Sequence, residues 1–162
     1  MGPQLILLVF LIALPLLRLG ARQTSATLEG VVPRGGRLVA RQALGHVHAL
    51  LVDRSEAFQL VMAYRVKDGW VGLFLPESTP TAEWAVEQSR GRAPVPAFTA
   101  AFGLLRGSLP GATAKIRITW NDGPQDVSLN GGGFLAVREG RFSVERVSLL
   151  DRADTPVRDL KR

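Results

Sequence analysis

The stretch AFQLVMAYRVKDGWVGLFL, residues 57–75, narrows the possible folds more than any other part of the chain. Phe58, Leu60, Met62, Tyr64 and Val66 recur at every second position, with Gln59, Val61, Ala63 and Arg65 between them. Successive side chains of a strand point to opposite faces, whereas a helix aligns residues three and four apart, so this alternation specifies a strand. Lys67-Asp68-Gly69 then supplies a tight turn, with Gly69 free to take a positive φ, and WVGLFL returns as the partner strand as far as Leu75.

The same pattern recurs on both sides. In HVHALLVD, His46, His48, Leu50 and Val52 share one face and Val47, Ala49 and Leu51 the other. Further on, KIRITW, the turn Asn121-Asp122-Gly123, DVSLN, the turn at Asn130-Gly131-Gly132-Gly133, FLAVRE and RFSVERVSLLD read as a meander. In the last of these the apolar phase changes between Val144 and Val147, which predicts a bulge near Glu145-Arg146. Short turns joining successive strands require antiparallel pairing. The expected fold is mainly β (α+β): an antiparallel sandwich or barrel-like domain over residues 46–152.

Between the two hairpin blocks the punctuation changes. Thr79 can cap a helix, Pro80 suits its first position, Glu83 lies in the first turn, and Gly91 can end it. After Pro96, Phe98, Ala101, Phe102 and Leu105 fall at helical spacing before Gly107. Residues 76–110 are therefore expected to form a two-helix insertion. Residues 23–45, broken by Pro33, Gly35 and Gly36, read as a tether, with a first short strand beginning at Leu38-Val39, and residues 153–162 as a polar tail.

Ahead of all this stands LILLVFLIALPLL, residues 5–17, without a charged or polar side chain. As a helix it covers roughly 20 Å of a hydrocarbon core about 30 Å thick. The stretch from Gly2 to Ala21 reaches across if Arg18 snorkels to the interface. A buried soluble helix would show a polar stripe, which this run lacks. The basic leader of a secretory signal is missing, although Thr24-Ser25-Ala26 offers a cleavage site. Residues 1–22 are read as a transmembrane anchor or signal segment, with residues 5–21 in the lipid bilayer of the cell membrane as a single pass. Arg18, Arg22, Arg34, Arg37 and Arg41 follow the apolar run, against Glu29 alone, and the positive-inside rule then places the domain on the cytoplasmic side. A misplaced start codon, or cleavage of the leader, would place it outside the cytoplasm.

The charge of +6 is spread along the chain rather than gathered on one element with stacking aromatics, which argues against nucleic acid as a partner. The chain has no cysteine, so disulfides, thiolate metal sites and cysteine nucleophiles are excluded. His46 and His48, the only histidines, are candidate metal ligands two residues apart on one strand face, with Asp53 or Glu56 as a third donor. Two imidazoles alone leave a metal under-coordinated. Asn130-Gly131-Gly132-Gly133 lacks the lysine of a phosphate loop and opens a strand. No G-x-S-x-G occurs, and no cofactor is implied. The expectation is a membrane-tethered, non-catalytic interaction or assembly module that engages a protein partner through Trp84, Phe98 and Phe102. The alternatives are a small-ligand-binding or metal-dependent protein using His46 and His48, and an exported soluble β domain after signal cleavage.

Overall fold

A computed structural model describes residues 22–107 and 115–162. The strand β1 (Arg22–Ser25) leads through a single 3-10 turn, Glu29–Val31, into β2 (Arg37–Leu44), β3 (Val47–Asp53), β4 (Phe58–Val66) and β5 (Gly69–Phe74). These five form an antiparallel sheet in the order β1-β5-β4-β3-β2. The β4–β5 hairpin turns at Lys67-Asp68, as its sequence predicts, and Gly69 opens β5 with φ +152°. A second sheet, ordered β10-β7-β6, comprises β6 (Trp84–Ser89), β7 (Phe98–Leu104) and β10 (Gly133–Glu139). The third, ordered β12-β11-β8-β9, comprises β8 (Lys115–Trp120), β9 (Gly123–Ser128), β11 (Val144–Leu150) and β12 (Pro156–Asp159). The register of β11 against β8 shifts between Val144 and Arg146, where the phase change in the sequence lies.

The chain is thus mainly β and antiparallel, and the described residues contain no helix longer than the 3-10 turn. Two cores sit on the two faces of the second sheet. Phe98, Ala100, Phe102 and Leu104 of β7 pack with Val47, Ala49, Leu51, Phe58, Leu60 and Met62 of the first sheet. Ala101, with Phe134 and Ala136 of β10, faces Ile116, Ile118, Trp120, Val147 and Leu149 of the third. A third cluster covers the outer face of the first sheet, where Leu28 and Val31 of the 3-10 segment lie on Leu50, Val52, Val61 and Ala63. At Gly103 a Cβ would lie 2.1 Å from the Glu83 carbonyl oxygen, so only glycine lets β6 and β7 enter their pairing this closely.

The expected two-helix insertion over 76–110 is not found: its residues supply β6 and β7, hydrogen-bonded to each other along their lengths. The reason lies in the spacing. Phe98 and Phe102, four apart, share a face in a strand as well as in a helix, so they cannot discriminate between the two. β7 is buried on both faces, which removes the apolar–polar alternation that identifies a half-buried strand. Thr79 makes a turn instead of a cap, its carbonyl accepting from the Ala82 N–H. The segment 23–45, expected as a tether, contributes β1 and β2 to the first sheet, and the polar tail contributes β12. Polar edge strands such as these carry little hydrophobic signal. The expected membrane helix lies outside the described residues; within them, no helix is long and apolar enough to cross a membrane.

Candidate functional site

The three aromatics expected to capture a partner are core residues. Trp84 is 5 % exposed, Phe98 2 % and Phe102 1 %. The Phe102 ring meets Phe58 edge-on at 5.7 Å, and the Trp84 indole Nε1 donates to the Leu160 carbonyl at 3.1 Å. Their place in the sequence nonetheless leads to an open strand edge of the fold, the outer edge of β6.

The two edges of the second sheet are treated differently. Val137 of β10 stands opposite Ala100, and its N–H and C=O turn away from β7. Gln42 of β2 satisfies both: its Oε1 accepts from the Val137 N–H at 2.9 Å and its Nε2 donates to the Val137 carbonyl at 2.8 Å. One side chain thus stands in for a neighbouring strand at Val137, while the outward backbone groups of Leu135 beside it have no partner among the described residues. On the other side, the Leu104 N–H donates to the Glu83 carbonyl, which sets the phase of the β6–β7 ladder. Antiparallel alternation then turns the backbone groups of Trp84, Val86 and Gln88 outward. The Trp84 N–H finds the Lys161 carbonyl at 3.3 Å. The outward N–H and C=O groups of Val86 and Gln88 have no partner among the described residues.

Two crevices flank this edge and share Val86 and Arg162. One, of about 270 Å³, is completed by Gln88, Ser143 and Val144; the other, of about 180 Å³, by Ser78, Thr79, Ala82, Trp84 and Ala85. The Gln88 Nε2 donates to the Phe142 carbonyl and ties the far end of β6 to the connection between β10 and β11. On the inner side the first sheet is five strands wide and the second only three. Tyr64, Leu73, Leu75 and Ala85 are accordingly only partly covered at the rim of the first core.

The charges around β6 are of two kinds. Arg158 grips Glu83 through two hydrogen bonds of 2.7 and 2.9 Å, and the Lys161 N–H adds a third at 2.8 Å. The Arg158 guanidinium, aided by that backbone donor, holds the Glu83 carboxyl below its ordinary range against the opposing effect of burial. Glu87, half-buried on the inner side, has its carboxyl pushed up by burial. Arg162 lies over the Trp84 ring at 5.5 Å and has no carboxylate partner among the described residues.

His46 and His48 are brought to different tasks. His46 stands in the β2–β3 turn with its Nε2 3.1 Å from the Pro94 carbonyl, and His48 on β3 meets the Trp70 ring edge-on at 5.4 Å. Among the described residues no third histidine or carboxylate joins them in a metal-binding group. A crevice of about 390 Å³ lies at the β8–β9 turn beside Trp120, Asp122, Gln125 and Arg138. Its polar groups are already engaged. Arg138 holds Asp122 through bonds of 2.7 and 2.8 Å and stacks 4.0 Å from the Phe142 ring centre, while the Trp120 Nε1 donates to Gln125. It is a clasp between β10 and the β8–β9 hairpin.

The sequence patterning of β6 conceals the open edge, because edge status depends on which strand lies alongside. Val86 and Gln88, with Arg162, are the residues missed in reading the sequence. No family model matches the chain, and neither a curated protein nor a solved structure similar to it was found.

Proposed function

We propose that the protein is a membrane-tethered, non-catalytic interaction module, a sandwich of antiparallel sheets anchored in the cell membrane by residues 5–21 as a single pass. The observation that carries the binding half of this reading is the β6 edge, with backbone groups of Val86 and Gln88 unpartnered between two crevices. Native sheets usually blunt or cover such an edge, since it templates pairing with another chain.

The tethering half rests on the apolar run at Leu5–Leu17 and on the start of β1 at Arg22, only a few residues beyond it. A segment of that composition in lipid would hold the sheets close to the headgroups, with little slack. The arginines following the run favour a cytoplasmic domain. The test is fractionation of the full chain after detergent-free lysis, followed by alkaline extraction of the membranes. The chain should remain in the pellet with its N-terminus intact by mass spectrometry. Recovery in the aqueous phase with Met1–Arg22 still attached would refute the tether. A mature N-terminus near Thr27 would establish the exported form instead.

A further inference from the structure

We infer that β6 accepts an added strand: an extended segment of a partner protein in which acidic and apolar residues alternate. This deepens the interaction-module reading and rests on it for the β6 edge, but not on the membrane tether. Three observations point to this occupant.

The outward N–H and C=O groups of Val86 and Gln88 offer the donor–acceptor pattern of an open antiparallel ladder, which an extended backbone matches regardless of its sequence. The neighbouring pair at Glu83 and Trp84 is already capped by the Lys161 carbonyl, so the new strand begins beyond it. Side chains of an added strand alternate between two surroundings. Those on the inner side would lie over the partly covered rim of Tyr64, Leu73, Leu75 and Ala85, where apolar groups fit beside the half-buried Glu87. Carboxylates on the outer side would lie toward the crevice of Val86, Val144 and Arg162. Among the described residues Arg162 stands without a carboxylate partner at one end of the edge, beside Lys161, and Arg90 and Arg141 do so at the other, where Gln88 holds Phe142. The net positive charge along the edge selects acidic residues on the partner and opposes pairing with a basic strand. The added strand would give the second sheet a fourth member and cover the part of the first sheet that the second leaves bare.

The test uses the full chain in detergent micelles and a fluorescein-labelled synthetic peptide of about eight residues, alternating valine and glutamate. Hydrogen exchange should show the Val86 and Gln88 amides exchanging fast in the free chain and slowed at least about tenfold by the peptide. A valine–lysine peptide, and one with the valines and glutamates in separate blocks, should bind at least about tenfold more weakly. Val86→Pro removes an N–H that points away from β7, so β6 keeps its ladder while affinity falls by a similar factor. Lys161→Glu combined with Arg162→Glu, on exposed positions, should lower affinity for the acidic peptide and raise it for the basic one. Should Val86→Pro fail to fold, an acidic peptide N-methylated at alternate residues makes the same backbone test on the unmodified protein. Equal binding of the blocked or N-methylated peptide would overturn the proposal. So would protection of the two amides in the free chain, from a second copy if it disappears on dilution or from the chain itself if it does not. Membrane fractionation reads the tether separately: peptide binding by a chain found in the aqueous phase would sink the tether and leave this site standing.

Discussion

Phe102→Ala is the perturbation that separates a core aromatic from a docking aromatic. Phe102 is 1 % exposed, lies in the first core beside Leu51, Leu60 and Leu104, and meets Phe58 edge-on at 5.7 Å. Truncating a fully buried phenylalanine costs about 3–5 kcal/mol, from lost transfer free energy and the cavity left behind. The site is walled by two paired sheets, which limits collapse into the void and favours the upper half of that range. A domain of this size has about 5–15 kcal/mol of stability in total, so the single variant folds but is markedly weakened. Truncating Trp84 and Phe98 as well would remove about 9–15 kcal/mol, most or all of that reserve. Urea unfolding of the full chain in micelles, followed by tryptophan fluorescence, should show a lower midpoint with an unchanged slope. Phe58→Ala should cost a similar amount, and the double variant should reveal a coupling of about 0.5–1.5 kcal/mol between the rings. Val157→Ala, at a position 53 % exposed, serves as a control and should stay within about 0.5 kcal/mol of the parent. A loss below about 1 kcal/mol for Phe102→Ala would mean that the ring is not packed as described, and the account of the second sheet would fail with it.

Three further outcomes follow from the edges and charges of the same sheet. Gln42→Ala leaves the Val137 N–H and C=O without their partners and should cost about 2–4 kcal/mol in the same urea assay, whereas Gln42→Glu keeps the acceptor but turns an oxygen toward the carbonyl, and should cost less only in acid, where a protonated carboxyl can donate. The folded-state carboxyl of Glu83 is depressed chiefly by Arg158, so its contribution is present above the unfolded value and is lost as pH falls through the folded one. Arg158→Met should therefore flatten the decline in stability below about pH 4.3, by less than about 1 kcal/mol because the pair is partly exposed. Glu87 has the opposite sign: burial raises its folded-state value, which penalises the ionised form as pH rises through the unfolded value. Glu87→Gln should stabilise the protein near neutral pH, with the gain vanishing in acid, as read by thermal midpoints across a pH series.

The strands that were legible from the residues are those with one face more covered than the other, or with a turn of diagnostic composition. Lys67-Asp68 and Asn121-Asp122 mark their hairpins, and the phase change at Glu145-Arg146 marks the bulge, because turn chemistry and side-chain alternation are local properties. The residues of β6 and β7 fit a helical reading because four-residue spacing is common to both periodicities, and in β7 burial on two faces erases alternation as well. β1 and β12 resemble tether and tail in sequence because short edge strands expose most of their side chains.

What the sequence determined by itself is the β character of the body, its antiparallel turns and the apolar run ahead of it. What only the tertiary structure decided is which strand is left at an edge. Gln42 caps Val137 on the β10 edge from 95 residues away, and the Lys161 carbonyl caps only the start of β6 from a segment 77 residues further along the chain. Pairing between such distant segments is set by which apolar faces must cover one another, a global packing condition that no short window of residues contains.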